Sequence, residues 1–120
     1  MGSSTINAET IKRLASEVGE DTVGVLLTVF SDELEQYHAT LSNTPTLSQI
    51  REISHSLKSS ASSFGADELA DMAQECESRV KQGQDSWVFE HLEALTQLVH
   101  SMADQYKALA LEQNAVNSLS

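Results

Sequence analysis

The chain has few of the residues that break helices or cross-link small folds. Its 120 residues include one proline, five glycines and one cysteine, and 5% are aromatic. A single cysteine, Cys76, excludes an internal disulfide framework. No run of about 18 apolar residues occurs, which argues against a membrane span. Residues 1–5 show no apolar core of a signal peptide. We therefore expect a cytoplasmic protein.

Positive charge is also scarce. Seven Lys or Arg residues stand against 18 Asp or Glu residues, giving a net charge of −11. This balance argues against binding to nucleic acid or to anionic membrane surfaces, because both repel an acidic protein. Two of the seven cations, Arg51 and Lys58, lie about one helical turn from His55. The surroundings of His55 are therefore a basic spot on an acidic body.

Helical periodicity covers most of the sequence, and no segment alternates between apolar and polar residues over six positions. We predict an all-α fold with helices at about 8–18, 22–42, 47–64, 66–82 and 86–111. Capping residues and stop signals mark their ends, because short polar side chains bond the first free N–H groups and glycine closes the last turn. The predicted N-caps are Asn7, Asp21, Thr46 and Asp85, and the predicted stops are Gly19, Gly65 and Gly83.

The connections between the four long amphipathic helices are short, which favours antiparallel neighbours. We predict an up-down-up-down four-helix bundle with the short N-terminal helix as a lid on one end. The apolar content of 40% suits one compact domain spanning residues 1–120. Its core is expected at about 20–112, with a frayed tail at 114–120.

His55 stands on the water side of the third helix. Apolar residues at 50, 53, 57, 61 and 64 fall on one face at helical spacing. At about 100° per residue, His55 lies roughly 175° from the centre of that face. An imidazole with an unperturbed pKa near 6.5 is mostly neutral at cytoplasmic pH, and a neutral ring can accept a phosphoryl group.

The neighbours of His55 suit that role. Lys58, at i+3, can offset the charge of a phosphoryl group. Arg51, at i−4, has two possible roles: it helps to hold the phosphoryl group or an acidic partner, or it is a surface charge that serves solubility alone. The neighbouring Glu52 partly offsets the positive charge of Arg51. Small residues on the same face leave room for a docking protein; they are Ser48, Ser59 and Ser62. Leu57 and Phe64 are expected in the core beneath this face.

The chain contains no machinery for activating a phosphate donor. It has no Gly-rich phosphate loop, no G-K-[ST] motif and no Asp/Glu cluster that suggests a magnesium site. No histidine pair has a thiol or acidic companion at ligand spacing, so we predict no zinc site. The catalytic groups must come from a partner, and this chain is predicted not to be an enzyme.

The remaining chemically active side chains have ordinary structural interpretations. Cys76 lies on an apolar stripe and is expected in the core. His38 and His91 fall at the edges of their stripes and are predicted to be boundary residues, whereas His100 is predicted to be exposed. The acidic faces of the second and fourth helices are interpreted as solvated surface.

The segment His55-Ser56-Leu57-Lys58-Ser59-Ser60-Ala61, followed by Phe64-Gly65-Ala66, resembles the motif of histidine-containing phosphotransfer (HPt) domains, H-x-L-K-G-S-(S/A) with a later apolar-Gly-Ala. Leu69 and Ala73 match its continuation on the next helix. Ser59 departs from the pattern, since most members have Gly there. The resemblance implies a helical bundle that carries a phosphoryl group on His55, with Lys58 stabilising it and no cofactor of its own.

The segment from Glu52 to Asp67 is most similar to quorum-sensing phosphorelay members of that family, which also have Ser at the position of Ser59. This implies a free-standing monomer that takes phosphate from the receiver Asp of a hybrid sensor kinase and passes it to a response-regulator receiver. Magnesium would be bound in those receivers. Alternatives are an HPt protein of another relay, the excised end of a hybrid kinase, and a bundle that binds a receiver without transferring phosphate.

Overall fold

The computed structural model describes the backbone of residues 5–119 and the side chains of residues 5–113. Its helices are α1 (Ala8–Val18), α2 (Glu20–Leu41), α3 (Leu47–Phe64), α4 (Asp67–Lys81) and α5 (Asp85–Leu119). No strand occurs between residues 5 and 119, so the all-α prediction is confirmed. Within this part of the chain, no helix has the length and apolar character needed to cross a bilayer.

Local capping explains why α1 and α3 begin and end where the sequence predicts. Asn7 Oδ1 accepts hydrogen bonds from the backbone N–H groups of Glu9 and Thr10. At the start of α3, Thr46 and Gln49 form a reciprocal capping box. Gly65 ends α3 with a φ of 87°, a left-handed conformation that glycine adopts without steric cost.

Two helices differ from the prediction at their ends. α2 begins at Glu20 with Gly19 as its N-cap, and α5 begins at Asp85 itself, so neither Asp21 nor Asp85 is the cap. Acidic residues are favourable inside a first turn because they face the positive end of the helix dipole. α5 also continues to Leu119, beyond its predicted end at Leu111; in the tail predicted to fray, residues 114–119 are helical and Ser120 lies outside the described residues. No Gly or Pro interrupts this segment.

The four long helices form antiparallel pairs. Between α2 and α5, Ser31 Oγ donates to the Ala103 carbonyl at 3.0 Å, and the His38 and His100 rings lie 4.6 Å apart. The residue numbers rise along one helix as they fall along the other, which defines antiparallel packing. α3 and α4 form the second pair, joined by the turn at Gly65.

One core runs through the bundle. Tyr106 is fully buried in α5, and its hydroxyl donates a 2.6 Å hydrogen bond to the carbonyl of Phe64 at the end of α3. The Phe64 ring stacks on that of Phe30 with centroids 4.4 Å apart. Leu57 is fully buried in the same core. Because Leu57 and Phe64 fix the inner face of α3, the opposite face carrying His55 must point outward.

α1 covers the end of the bundle at the α3–α4 turn. The backbone N–H of Asn7 donates to the Gly65 carbonyl at 2.8 Å, and its side-chain amide donates to Asp67 at 3.0 Å. Ile11 and Leu14 are half-buried against the core. The N-terminal helix therefore occupies the lid position expected from the sequence.

Candidate functional site

His55 lies near the middle of α3, with 69% of its side chain exposed. The residues on either side that hold α3 in place, Ile53 and Leu57, are buried. The five predicted partner-binding residues are all exposed on α3: Ser48, Arg51, Glu52, Ser59 and Ser62. The buried stripe of α3 thus presents the imidazole to solvent, surrounded by small and charged side chains.

The imidazole is held by a carboxylate from the neighbouring helix. Glu77 of α4 is 4% exposed, and its Oε2 lies 2.5 Å from His55 Nδ1. Its Oε1 accepts a 2.7 Å hydrogen bond from Lys58 Nζ, and Lys81 Nζ lies 3.8 Å from Oε2. The hydrogen bonds from Lys58 and then His55 lower the pKa of Glu77 from 4.5 to about 2, against the opposing effect of burial.

This contact defines the two nitrogens of the ring. An ionised carboxylate only accepts hydrogen bonds, so the hydrogen-bonding pattern assigns the proton to His55 Nδ1, which donates to Glu77. In the neutral ring Nε2 then carries the lone pair. Nε2 has no hydrogen-bond partner within residues 5–113. The site therefore offers one outward nitrogen lone pair on a ring whose other nitrogen is anchored.

An open cavity of about 630 Å³ lies beside the ring, between α3 and α4. His55 and Glu77 form part of its wall. The other lining residues are Ser48, Arg51, Glu52, Ser56 and Lys81. Three of the five predicted partner-binding residues thus share one cavity with His55. Ser59 and Ser62 lie farther along the exposed face, and neither they nor Lys58 line the cavity.

Glu77 was not among the site residues predicted from the sequence. The acidic face of α4 was interpreted as solvated surface, but the carboxylate of Glu77 is buried. A signal was present: Glu77 follows Ala73 by four residues and Leu69 by eight, so it falls on the same inward stripe as these core residues. Lys81 was missed as well; it lies one turn beyond Glu77 and brings a cation of α4 to the cavity.

The other histidines lie away from this site. His38 is half-buried and His100 is exposed, as expected, with His100 Nε2 3.6 Å from an oxygen of Asp104. The boundary prediction is wrong for His91, which is exposed; its ring stacks on that of the half-buried Trp87, with centroids 3.9 Å apart. Among the described residues, no group of three or more His, Cys, Asp or Glu side chains could hold a metal ion.

Cys76 immediately precedes Glu77 in the sequence, but its side chain is buried in the hydrophobic core. Burial, with a smaller contribution from the charge of Glu75, raises the pKa of its thiol to about 11. A thiol with that pKa is protonated at neutral pH and is a poor nucleophile. Cys76 is therefore part of the packing and not of the site chemistry.

Comparison with known proteins adds an independent result. The family model described as "Hpt domain" matches residues 25–108. The chain is 35% identical over 111 residues to the phosphorelay protein LuxU of Vibrio harveyi, covering 90% of this chain and 97% of that protein. It is 48% identical over 82 residues to LuxU of Vibrio cholerae, covering 66% and 73% respectively. No solved structure gives a significant match.

Proposed function

The chain belongs to the Hpt domain family and is a histidine phosphotransfer protein of a phosphorelay, and from that premise we propose that His55 is its phosphoryl acceptor. One observation carries this assignment: Nε2 of an exposed ring is open to a docking protein, while Nδ1 is anchored on Glu77. None of the other histidines in the described chain is held by a buried carboxylate.

The transfer step follows from that geometry. The Nε2 lone pair attacks the phosphorus of an aspartyl phosphate on a docked receiver domain. The N–P bond forms, the P–O bond to the receiver breaks, and the Asp leaves as a carboxylate. The proton on Nδ1 stays in place, so the phosphorylated ring is cationic and Glu77 supplies its counter-charge. In the reverse direction the N–P bond breaks and a neutral imidazole leaves.

Lys58 serves the site in two ways under this proposal. Its Nζ donates to Glu77 at 2.7 Å, which keeps that carboxylate ionised and in position. The ammonium has three N–H donors and its side chain is 39% exposed, so a remaining donor is free to approach a phosphoryl oxygen. Its charge offsets part of the two negative charges that a phosphoryl group brings.

The exposed face of α3 is the proposed docking surface. Ser48, Ser59 and Ser62 are small and exposed, so a receiver can approach His55 closely. Ser59 in place of the usual Gly keeps this low relief. Arg51 and Glu52 line the cavity beside the ring and place charges of both signs against the partner.

The similarity to the two LuxU proteins supports a quorum-sensing relay as the setting. In that setting the donor is the receiver of a hybrid sensor kinase, and the acceptor is a response-regulator receiver. The receivers supply the magnesium and the catalytic groups, and this chain acts as a carrier rather than as an enzyme. We further propose that residues 1–120 act as one domain and as a cytoplasmic monomer.

A transfer assay tests the proposal. A receiver domain phosphorylated with ³²P is mixed with the wild type, with His55→Gln and with the control His91→Gln. The wild type and the control should take up acid-labile, alkali-stable label, and His55→Gln should take up none. Label on His55→Gln would remove His55 from the mechanism. Receiver binding without label on any variant would favour the alternative of a non-transferring interaction module.

A further inference from the structure

Two cations, Arg51 and Lys81, line the cavity beside His55 together with the carboxylates of Glu52 and Glu77. The side chain of Arg51 makes no hydrogen bond or ion pair within the described residues. Lys81 has one ion-pair partner in the same part of the chain, Glu77, at 3.8 Å. Lys58, in contrast, is bound to Glu77 at 2.7 Å and does not line the cavity. The guanidinium of Arg51 and the ammonium of Lys81 are therefore held less tightly by protein carboxylates than the ammonium of Lys58 is.

We propose that Arg51 and Lys81 form an oxyanion seat that holds the phosphoryl group while it is on His55. This inference rests on the proposed function, because it needs His55 to be the acceptor. It assigns to the two cations a contact with the transferred group itself, and it makes Lys81, on a different helix from the acceptor, part of the phosphoryl-binding machinery.

The direction of helical side chains supports this placement. Side chains on a helix lean toward its N-terminus, so the ring of His55 leans toward the turn that carries Ser48 and Arg51 and away from the turn that carries Ser59. His55 itself lines the cavity, and its anchored nitrogen faces Glu77. In this proposal a phosphoryl group on Nε2 therefore lies at the cavity that His55 lines.

The chemistry of the two cations is complementary. The guanidinium of Arg51 presents a planar fork of donors that matches two oxygens of a phosphoryl group, whereas Lys81 supplies a compact point charge. They approach from α3 and α4, so an anion between them would be held from two sides. On a chain with a net charge of −11, an anion is repelled from most of the surface, so a site with two cations is needed to hold it.

The seat has a kinetic consequence. Transfer and hydrolysis of a phosphoryl group pass through a loose transition state, in which the transferred group carries less negative charge than it does in the phosphohistidine. Cations therefore stabilise the phosphohistidine more than its transition state. Loss of both charges should shorten the phosphohistidine lifetime and shift the equilibrium with a receiver toward the receiver, each by about fivefold for two partly exposed cations.

The first test uses inorganic phosphate as the probe and needs no transfer. Phosphate is titrated into the full unphosphorylated chain while the ring signals of His55 are followed by ¹H–¹⁵N NMR. We expect a saturable shift in the millimolar range for the wild type and for Lys107→Gln, which removes the same charge elsewhere on the surface. The double variant Arg51→Gln/Lys81→Gln should lose the shift. An unchanged titration of that variant, or no saturable shift of the wild type, would overturn the proposal.

The second test measures the phosphohistidine lifetime after the donor receiver is removed. The double variant should lose label about fivefold faster than the wild type and Lys107→Gln. A normal lifetime combined with slow uptake from the receiver would mean that the cations contact the receiver and not the phosphoryl group, which contradicts the seat. If label is found on a residue other than His55, the proposed function fails, and the phosphate titration reports on the cation pair separately.

Discussion

The carboxylate of Glu77 joins His55 and Lys58 across the interface between α3 and α4. Its Oε2 lies 2.5 Å from His55 Nδ1 and its Oε1 lies 2.7 Å from Lys58 Nζ. Only 5% of the Glu77 side chain is exposed to solvent. This bridge fixes the tautomer of the imidazole and points its second nitrogen outward.

Removal of the Glu77 carboxylate should slow phosphoryl transfer. In Glu77→Ala the ring loses the acceptor of its Nδ1 proton and the counter-charge of its cationic phosphorylated form, so we expect transfer about tenfold slower. Glu77→Gln retains an acceptor without the charge and should give an intermediate rate. Rates are measured with a phosphorylated receiver, and the tautomer with ring ¹⁵N shifts. Glu68→Ala, an exposed acidic residue on the same helix, is the control and should transfer normally.

The positioning role of Glu77 is separable from general damage to the fold. The Ala variant should move its His55 population toward the Nε2-protonated tautomer, whereas the Gln variant should keep the Nδ1-protonated form. Unchanged tautomers and unchanged transfer in both variants would reduce Glu77 to a structural residue.

Stability should depend on pH through the same carboxylate. The pKa of Glu77 is lowered from 4.5 to about 2 in the folded chain, so its ionised form stabilises the fold above about pH 4.5 and this contribution is lost as the pH falls toward 2. Between about pH 5 and about pH 3, the wild type should lose about 1–2 kcal/mol more unfolding free energy than Glu77→Gln, allowing for screening. Denaturant unfolding at each pH measures the unfolding free energy of both proteins. Equal losses in the wild type and in Glu77→Gln would contradict a stabilising role of the ionised Glu77.

Lys58→Ala should leave the bundle folded but shorten the lifetime of the phosphohistidine or slow transfer. The substitution removes a half-exposed charge and the 2.7 Å hydrogen bond that contributes most to the lowered pKa of Glu77. A change of a few-fold is expected for one partly solvated cation. Circular dichroism checks the fold, and label decay checks the lifetime. Kinetics identical to the wild type would leave Lys58 as a surface charge.

Gly65→Ala should destabilise the chain by about 2 kcal/mol or more, because φ is +87° and an added Cβ would lie 3.0 Å from the Asn7 carbonyl oxygen. Gly83→Ala is the matched control: φ is +74°, but nothing lies within 4 Å of an added Cβ. It should cost about 1 kcal/mol, the left-handed backbone penalty alone. Equal losses of unfolding free energy in the two variants would argue against close packing between α1 and the α3–α4 turn.

The parts of the fold that sequence predicted well are those set by local chemistry. The bounds of α1 and α3 follow from Asn7, Thr46 and Gly65, which act on backbone groups within a few residues. The end of α5 was missed because no local stop exists after Leu111, and the helix continues to Leu119. Where neither Gly nor Pro ends a helix, its length depends on weak propensities that a single sequence does not resolve.

The candidate site, like the fold, was predicted from the sequence only where local chemistry determines it. The exposed position of His55 followed from the apolar period of α3 alone. Its bond to Glu77 joins residues 22 apart on two helices, and helical periodicity carries no information about which side chains meet across an interface. Residue type also misled, because a glutamate is rarely buried unless it is paired, and the pairing partners become visible only in three dimensions.

The role of His55 is tested most directly by identifying the atom that carries the phosphoryl group. The ¹⁵N-labelled chain is phosphorylated by a receiver domain and examined by ¹⁵N and ³¹P NMR under alkaline conditions that preserve phosphohistidine. The geometry of His55 points to a single N–P linkage, at Nε2, because Nδ1 faces Glu77. A linkage at Nδ1 of His55, or at any of the other three histidines, would contradict it.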